Sequence, residues 1–161
     1  MYYTPHERDR LVAYHESGHA VLAHVTGLHL HEAYISGSPA TSGLVTWEVD
    51  PYGASSNRSI ITTMGGRLAE IRLYGKEHAL SDSSQDFRKI AAHLEAGPFV
   101  SEAGQQAHLR HLVIEAKRMI QTHWHTIRAF AGVLLRERYL EGHVLRTVMH
   151  NLTQHGVRAR V

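Results

Sequence analysis

The chain contains no cysteine, and this absence excludes two kinds of structure. Among its 161 residues no disulfide can form and no thiolate can bind a metal. Long hydrophobic runs are also missing: the longest fall far short of the roughly 20 residues that a membrane-spanning helix needs, and no signal-peptide pattern opens the chain. We therefore expect a cytoplasmic protein without a membrane span.

A strong net charge of either sign is missing as well, with 17 Lys and Arg against 15 Asp and Glu. No nucleic-acid-binding motif accompanies this small excess, so we expect Arg158 and Arg160 to be solvated and no nucleic-acid partner. A hydrophobic content of 43% over this length predicts a single globular domain spanning residues 1–161. Histidine, in contrast, is abundant, with 15 copies. Some of these histidines could have the spacing of metal ligands.

The histidines with metal-ligand spacing are His15 and His19. On an α-helix, residues four apart lie one above the other with Cβ atoms about 5–6 Å apart, so two imidazoles can converge on one zinc ion. Glu16 projects to the neighbouring sector, where HExxH peptidases carry their general base. The flanking residues are apolar, unlike those of a solvated helix: Leu11, Val12, Ala13, Ala20, Val21, Leu22 and Val25. The pattern predicts a zinc-hydrolase active site on a buried helix.

Two histidine ligands need a third ligand, and the residues alone leave several candidates. A metzincin would have glycine at position 22 and histidine at position 25, and Leu22 and Val25 exclude that pattern. A carboxylate on a following helix could come from Glu70. Asp82 and Asp86, further along the chain, are equally compatible with the spacing. Physical chemistry does not choose among the three acids.

The capping and periodicity signals predict a mainly α-helical domain with a small β-sheet or hairpin. Thr4, Pro5 and Glu7 form a helix start with a capping box, and Gly27 is the expected stop. β-branched and aromatic residues predict two strands that turn through residues 37–39. These strands are expected over residues 33–36 and 43–49. Further helices are expected from 55–56 to 75, from a cap within 81–84 to 96, from 101 with a break near Thr122, and after Gly142.

Two helical motifs resemble the peptidase domain of the FtsH family of ATP-dependent zinc proteases. The stretch from His15 to Ala20 is similar to the HEAGHA helix of that family, with serine in place of the usual alanine, and residues 65–70 match its GGRxAE helix. Residues 81–86 fall where the family has a TGAxxD-like segment, although Asp82 and Ser83 replace its glycine and alanine. The aspartate that closes this segment is the third zinc ligand of the family. The resemblance therefore implies an FtsH-peptidase-like zinc domain with His15, His19 and Asp86 as ligands.

The resemblance also implies a function, a zinc metalloendopeptidase that hydrolyses unfolded or flexible polypeptides with Glu16 as its catalytic base. No phosphate-binding GxxxxGK[ST] loop occurs, so we expect no ATPase within the chain. The implied partners are a polypeptide substrate, an ATPase acting in trans and further copies of the chain. Two alternatives are a zinc-stabilised adaptor module without turnover and a histidine-rich metal-binding protein. The intact Glu16 favours the enzyme.

The second predicted strand is a candidate substrate-binding element. Gly43, Leu44, Val45 and Thr46 lie in it, and an exposed edge strand can pair with an extended polypeptide through main-chain hydrogen bonds. The alternative is a strand that only covers the core.

Overall fold

The structure, a computed structural model, describes residues 4–38, 41–48, 57–75, 84–98 and 101–158. In these residues the chain forms six helices and one three-stranded sheet. The elements in chain order are α1 (Pro5–Val25), β1 (Leu30–Ser38), β2 (Thr41–Trp47), α2 (Asn57–Tyr74), α3 (Ser84–Glu95), α4 (Glu102–Thr122), α5 (Trp124–Glu137), β3 (Tyr139–Glu141) and α6 (Gly142–Arg158).

Helix α1 is the central element of the domain. The predicted capping box is present: the Thr4 side chain accepts a hydrogen bond from the backbone N–H of Glu7, and the Glu7 carboxylate accepts one from the N–H of Thr4. The helix stops before Gly27, whose φ of 83° lies in the left-handed region. Between Leu11 and Ala23 almost every side chain is buried, as expected for a helix that is packed on all sides.

Helices α1 and α2 cross in direct backbone contact. A Cβ atom at Gly18 would lie 2.6 Å from the carbonyl carbon of Gly65, and a Cβ at Gly65 would lie 2.5 Å from the carbonyl oxygen of Gly18. Only glycine permits this approach, because larger residues would hold helix axes about 8–10 Å apart. The close crossing brings α2 against the face of α1 that carries His15 and His19.

The sheet has the strand order β2-β1-β3, with both pairs antiparallel. In the central strand Ala33 faces Val45 on one side and Leu140 on the other. Strand β3 was not predicted. It follows Arg138, whose φ of 64° ends α5 in the left-handed region and turns the chain beside β1. β2 is left at the sheet edge within the described residues.

The remaining helices complete the core around α1. Helices α5 and α6 contribute large apolar side chains that are fully buried: Ile127, Phe130, Leu134, Leu145 and Met149. No helix in the described part of the chain combines the length and the apolar character needed to cross a membrane. The predicted fold class, mainly helical with a small sheet, is confirmed. The predicted start of the second helix, at residues 55–56, lies outside the described residues, as do residues 81–83 of the range predicted for the cap of the third helix.

Candidate metal centre

Three side chains from two helices meet beside the crossing of α1 and α2. The Nε2 atoms of His15 and His19 are 3.0 Å apart. The Oδ2 atom of Asp86, in the first turn of α3, lies 3.3 Å from Nε2 of His15 and 3.2 Å from Nε2 of His19. Within the ranges that the structure describes, this is the one group of at least three His, Asp or Glu side chains whose ligand atoms converge in this way.

The spacing of these atoms fits a tetrahedral zinc ion. Zinc lies about 2.0–2.2 Å from nitrogen and oxygen ligands, so adjacent ligand atoms in a tetrahedral site are about 3.3–3.6 Å apart. The observed separations agree with this range to within a few tenths of an ångström. Two imidazoles and one carboxylate also form the ligand type of a catalytic zinc site, in which a fourth position is open.

The outer nitrogens of both imidazoles are held by acceptors. Nδ1 of His19 lies 2.8 Å from the backbone oxygen of Thr62, and Nδ1 of His15 lies 2.7 Å from Oε1 of Glu70. A carbonyl and a carboxylate only accept hydrogen bonds, so both Nδ1 atoms carry the proton in the neutral rings. The lone pairs of both Nε2 atoms then point at the same place, which favours a cation between them.

The Glu70 carboxylate contacts both His15 and Arg67. Its second oxygen, Oε2, accepts a hydrogen bond from Arg67 at 3.3 Å while Oε1 holds His15. The carboxylate is fully buried and approaches the Nδ1 side of the ring, away from the converging Nε2 atoms. Glu70 is therefore placed to orient the His15 ring and not to join the converging Nε2 atoms. Asp82, another candidate ligand, lies outside the described residues.

The electrostatics of the centre favour positive charge at the point where the three side chains meet. Burial lowers the pKa of His15, but hydrogen bonds to Asp86 and Glu70 and the charge of Glu16 outweigh burial and raise this pKa to about 10. Burial raises the pKa of Asp86, yet hydrogen bonds from His15 and His19 prevail and hold it well below its usual range. A proton or a metal ion satisfies the same charge requirement.

Glu16 lies next to the two histidines on α1 and is almost completely buried. Burial is the largest influence on its pKa and raises it, against the opposing attraction of His15 and His19. Across from the helix, Trp47 at the end of β2 places its ring centroid 6.1 Å from that of His19. No pattern in the sequence predicts this aromatic neighbour, because only the packing of β2 on α1 brings it to the centre.

The four predicted strand residues lie in β2, as expected. Val45 is buried, whereas Leu44 is 36% exposed, so adjacent side chains point to opposite faces of the sheet. Gly43 faces α1 and Thr46 is partly buried beside Glu32, whose carboxylate is 3.5 Å from the Thr46 hydroxyl. β2 therefore adjoins the metal centre through its inner face and presents a strand edge beside it.

Gly66 on α2 was not singled out as a site residue, yet it borders the centre directly. A Cβ atom there would lie 2.5 Å from Nε2 of His19 and 2.6 Å from Nε2 of His15. The missing side chain leaves room at the point where the imidazole lone pairs converge. Its position in the GGRxAE motif was the available signal, but the sequence does not show which neighbours limit the size of the residue.

We expect Gly66→Ala to weaken zinc binding by at least about 100-fold. The methyl group would occupy space between the ligand nitrogens and displace both imidazole rings. Changes that only disturb the orientation of a ligand already lower metal affinity by about 10- to 100-fold. Zinc titration against a competing chelator measures the affinity, and circular dichroism checks that the variant is folded. Gly132→Ala on α5 is the matched control, because nothing lies within 4 Å of a Cβ atom there. Wild-type affinity in the folded Gly66→Ala protein would contradict this prediction.

Comparison with known proteins points to one family. The ATP-dependent zinc metalloprotease FTSH 11 of Arabidopsis thaliana is 32% identical to the chain, with a match covering 63% of the chain and 14% of the relative. FtsH of Mycoplasmopsis pulmonis is 35% identical over 63% of the chain and 15% of its own length. FTSH 9 of Oryza sativa is 26% identical over 87% of the chain and 22% of its own length.

The chain thus spans between about a seventh and a fifth of the length of these relatives. No family model matches it. The relatives share the name ATP-dependent zinc metalloprotease, and the similarity to the rice protein covers most of the chain. The mainly helical fold with its small antiparallel sheet agrees with this assignment. The chain is a peptidase-like domain of the FtsH family.

Proposed function

We propose that this domain is a zinc-dependent endopeptidase that hydrolyses unfolded or flexible polypeptides. The observation that carries the proposal is the convergence of Nε2 of His15, Nε2 of His19 and Oδ2 of Asp86 within 3.0–3.3 Å of one another. The support of both outer nitrogens by Thr62 and Glu70 adds to it, because a ligand imidazole needs its other nitrogen held by an acceptor. The zinc metalloprotease names of the relatives are consistent with the same chemistry.

In the proposed reaction His15, His19 and Asp86 would hold a zinc ion. A zinc ion held there would supply Lewis-acid chemistry, which activates water and polarises the scissile carbonyl group. Glu16 accepts a proton from the attacking water and then gives it to the leaving amine. Glu70 and the Thr62 carbonyl keep the two imidazoles in the tautomer that presents Nε2 inward.

The proposed substrate-binding element is β2. It lies at the edge of the sheet among the described residues, and β1 occupies its other side. An extended polypeptide could add to this edge by main-chain hydrogen bonds, which require no particular sequence. Gly43, Leu44, Val45 and Thr46 would then lie alongside the substrate. The contacts of β2 with the helix that carries Glu16 and His19 support a carbonyl group being held near the metal.

Hydrolysis of an unstructured protein such as casein, and its loss on addition of a metal chelator, tests the proposal. The two other functions make different predictions. An adaptor module would bind zinc and polypeptide without turnover, and a histidine-rich metal-binding protein would bind several ions per chain. The single convergent group found in the described residues favours one zinc ion per chain over a metal store.

We expect cleavage to depend on how well the substrate is folded. A segment must be extended to lie along a strand edge, and stable domains rarely offer such a segment. A destabilised mutant of a small stable domain should therefore be cleaved at least about 10-fold faster than its parent, as expected when its opening free energy is lower by about 1.4 kcal/mol. The rate should not respond to ATP unless a separate ATPase is supplied. Equal rates for the two substrates without a partner would contradict the proposal.

A further inference from the structure

Gly43 in β2 lies against the side chain of Glu16. A Cβ atom at position 43 would stand 2.7 Å from both Cγ and Oε1 of Glu16 and 2.8 Å from Cγ1 of Val12. Non-bonded carbon atoms in proteins are most stable about 3.5–4.0 Å apart. No residue with a Cβ atom therefore fits at this position while Glu16 keeps its observed conformation.

Backbone conformation does not account for the glycine. The described glycines with positive φ are Gly27, Gly75 and Gly142, so Gly43 has a conformation that other residues can adopt. It pairs with Ile35 in the antiparallel ladder, where a glycine weakens a strand because it has no side chain to pack. What glycine contributes here is the absence of a Cβ atom on the side that faces Glu16.

We infer that Gly43 is a positioning residue for the general base. The backbone of β2 forms one wall of the space that holds the Glu16 carboxylate, and the burial of Glu16 leaves it little room to turn elsewhere. The inference rests on the proposed function, in which Glu16 transfers the proton. It gives β2 two roles at this residue, because the outer edge faces the proposed substrate while the inner face orients the base.

The kinetic test compares Gly43→Ala with wild type on an unstructured protein substrate. We expect kcat to fall on the order of 10- to 100-fold, because a displacement of about 1 Å is enough for such a loss. Zinc content and KM should change little, and Gly132→Ala should retain wild-type kinetics. In a Glu16→Gln background, Gly43→Ala should have no further effect on the residual rate. An unchanged kcat, or a loss confined to KM, would overturn the inference.

A second test measures the contact without any activity. Denaturant midpoints of the zinc-free protein are compared in a cycle of Gly43→Ala, Glu16→Ala and the double variant. The shift caused by Gly43→Ala should be smaller in the Glu16→Ala background, because the smaller side chain frees the space beside the strand. Equal shifts in both backgrounds would overturn the inference. If the wild-type chain does not hydrolyse the substrate, the proposed function and the positioning role are both overturned. If wild type is active and Gly43→Ala has the wild-type kcat, only the positioning role is overturned.

Discussion

Glu16→Gln should nearly abolish peptide hydrolysis while leaving the fold and the zinc affinity intact. An amide has nearly the same size as the carboxylate but cannot accept the proton of the attacking water, and general-base catalysis contributes about 10²- to 10⁴-fold to rates. We expect kcat to fall by that factor. The measurement is casein hydrolysis by purified protein loaded with one equivalent of zinc.

The appropriate comparison is with another acid on α1 that lies away from the centre. Asp9 pairs with Arg138 at 2.7 Å on the partly exposed side of the helix, so Asp9→Asn removes a carboxylate without touching the metal centre. This variant should retain the wild-type rate. Turnover by Glu16→Gln at the rate of Asp9→Asn would disprove the assignment of Glu16 as the base.

Asp86→Ala should remove stable zinc binding. The substitution deletes a carboxylate whose oxygen lies within 3.3 Å of both Nε2 atoms and leaves two neutral nitrogens to hold the ion. Loss of a supporting partner alone costs about 10- to 100-fold in metal affinity, so loss of a direct ligand should weaken binding by more than about 100-fold. Metal analysis after dialysis and competitive titration measure the stoichiometry and the affinity.

Glu95→Ala on the same helix is the control for this experiment, because it removes an exposed carboxylate from α3 and leaves the centre unchanged. It should bind one zinc ion per chain as wild type does. Wild-type stoichiometry and affinity in Asp86→Ala would assign the third ligand to Asp82 or Glu70. For Glu70 this outcome would require the carboxylate to leave Nδ1 of His15, where it makes a hydrogen bond of 2.7 Å.

The first half of the metal centre could be predicted because it is local. His15, Glu16 and His19 lie within five residues, and the period of the helix determines their relative directions. Asp86 is separated from His19 by a turn, a hairpin and a helix, so no periodicity connects them. Spacing did not distinguish Asp86 from Glu70 and Asp82 as the third ligand, and only the resemblance to a family selected Asp86.

The parts that could not be predicted depend on backbone contacts. Every residue has a carbonyl group, so nothing in the sequence identifies the one at Thr62 as the acceptor for His19. The sequence likewise does not show why positions 66 and 43 carry glycine. The reason is the set of nearby atoms that a Cβ atom at Gly66 or Gly43 would meet. Strand β3 has three residues, which is too short for an alternating pattern, and it forms because Arg138 directs the chain along β1.

Helix α3 is joined to the domain through few buried side chains, and this has a consequence for the release of metal. Among the α3 side chains that the structure describes, the buried apolar ones are Ile90 and Leu94, and the buried polar one is Asp86. An element with so few contacts forms a small cooperative unit that opens at a lower free-energy cost than α1. A cation bound by both Asp86 and α1 would bind only while α3 is folded, so it would shift the local unfolding equilibrium of α3 towards the folded form. Amide hydrogen exchange in α3 would then slow with increasing zinc concentration while exchange in the middle of α1 stayed constant, so metal dissociation would be a local unfolding event of a single helix.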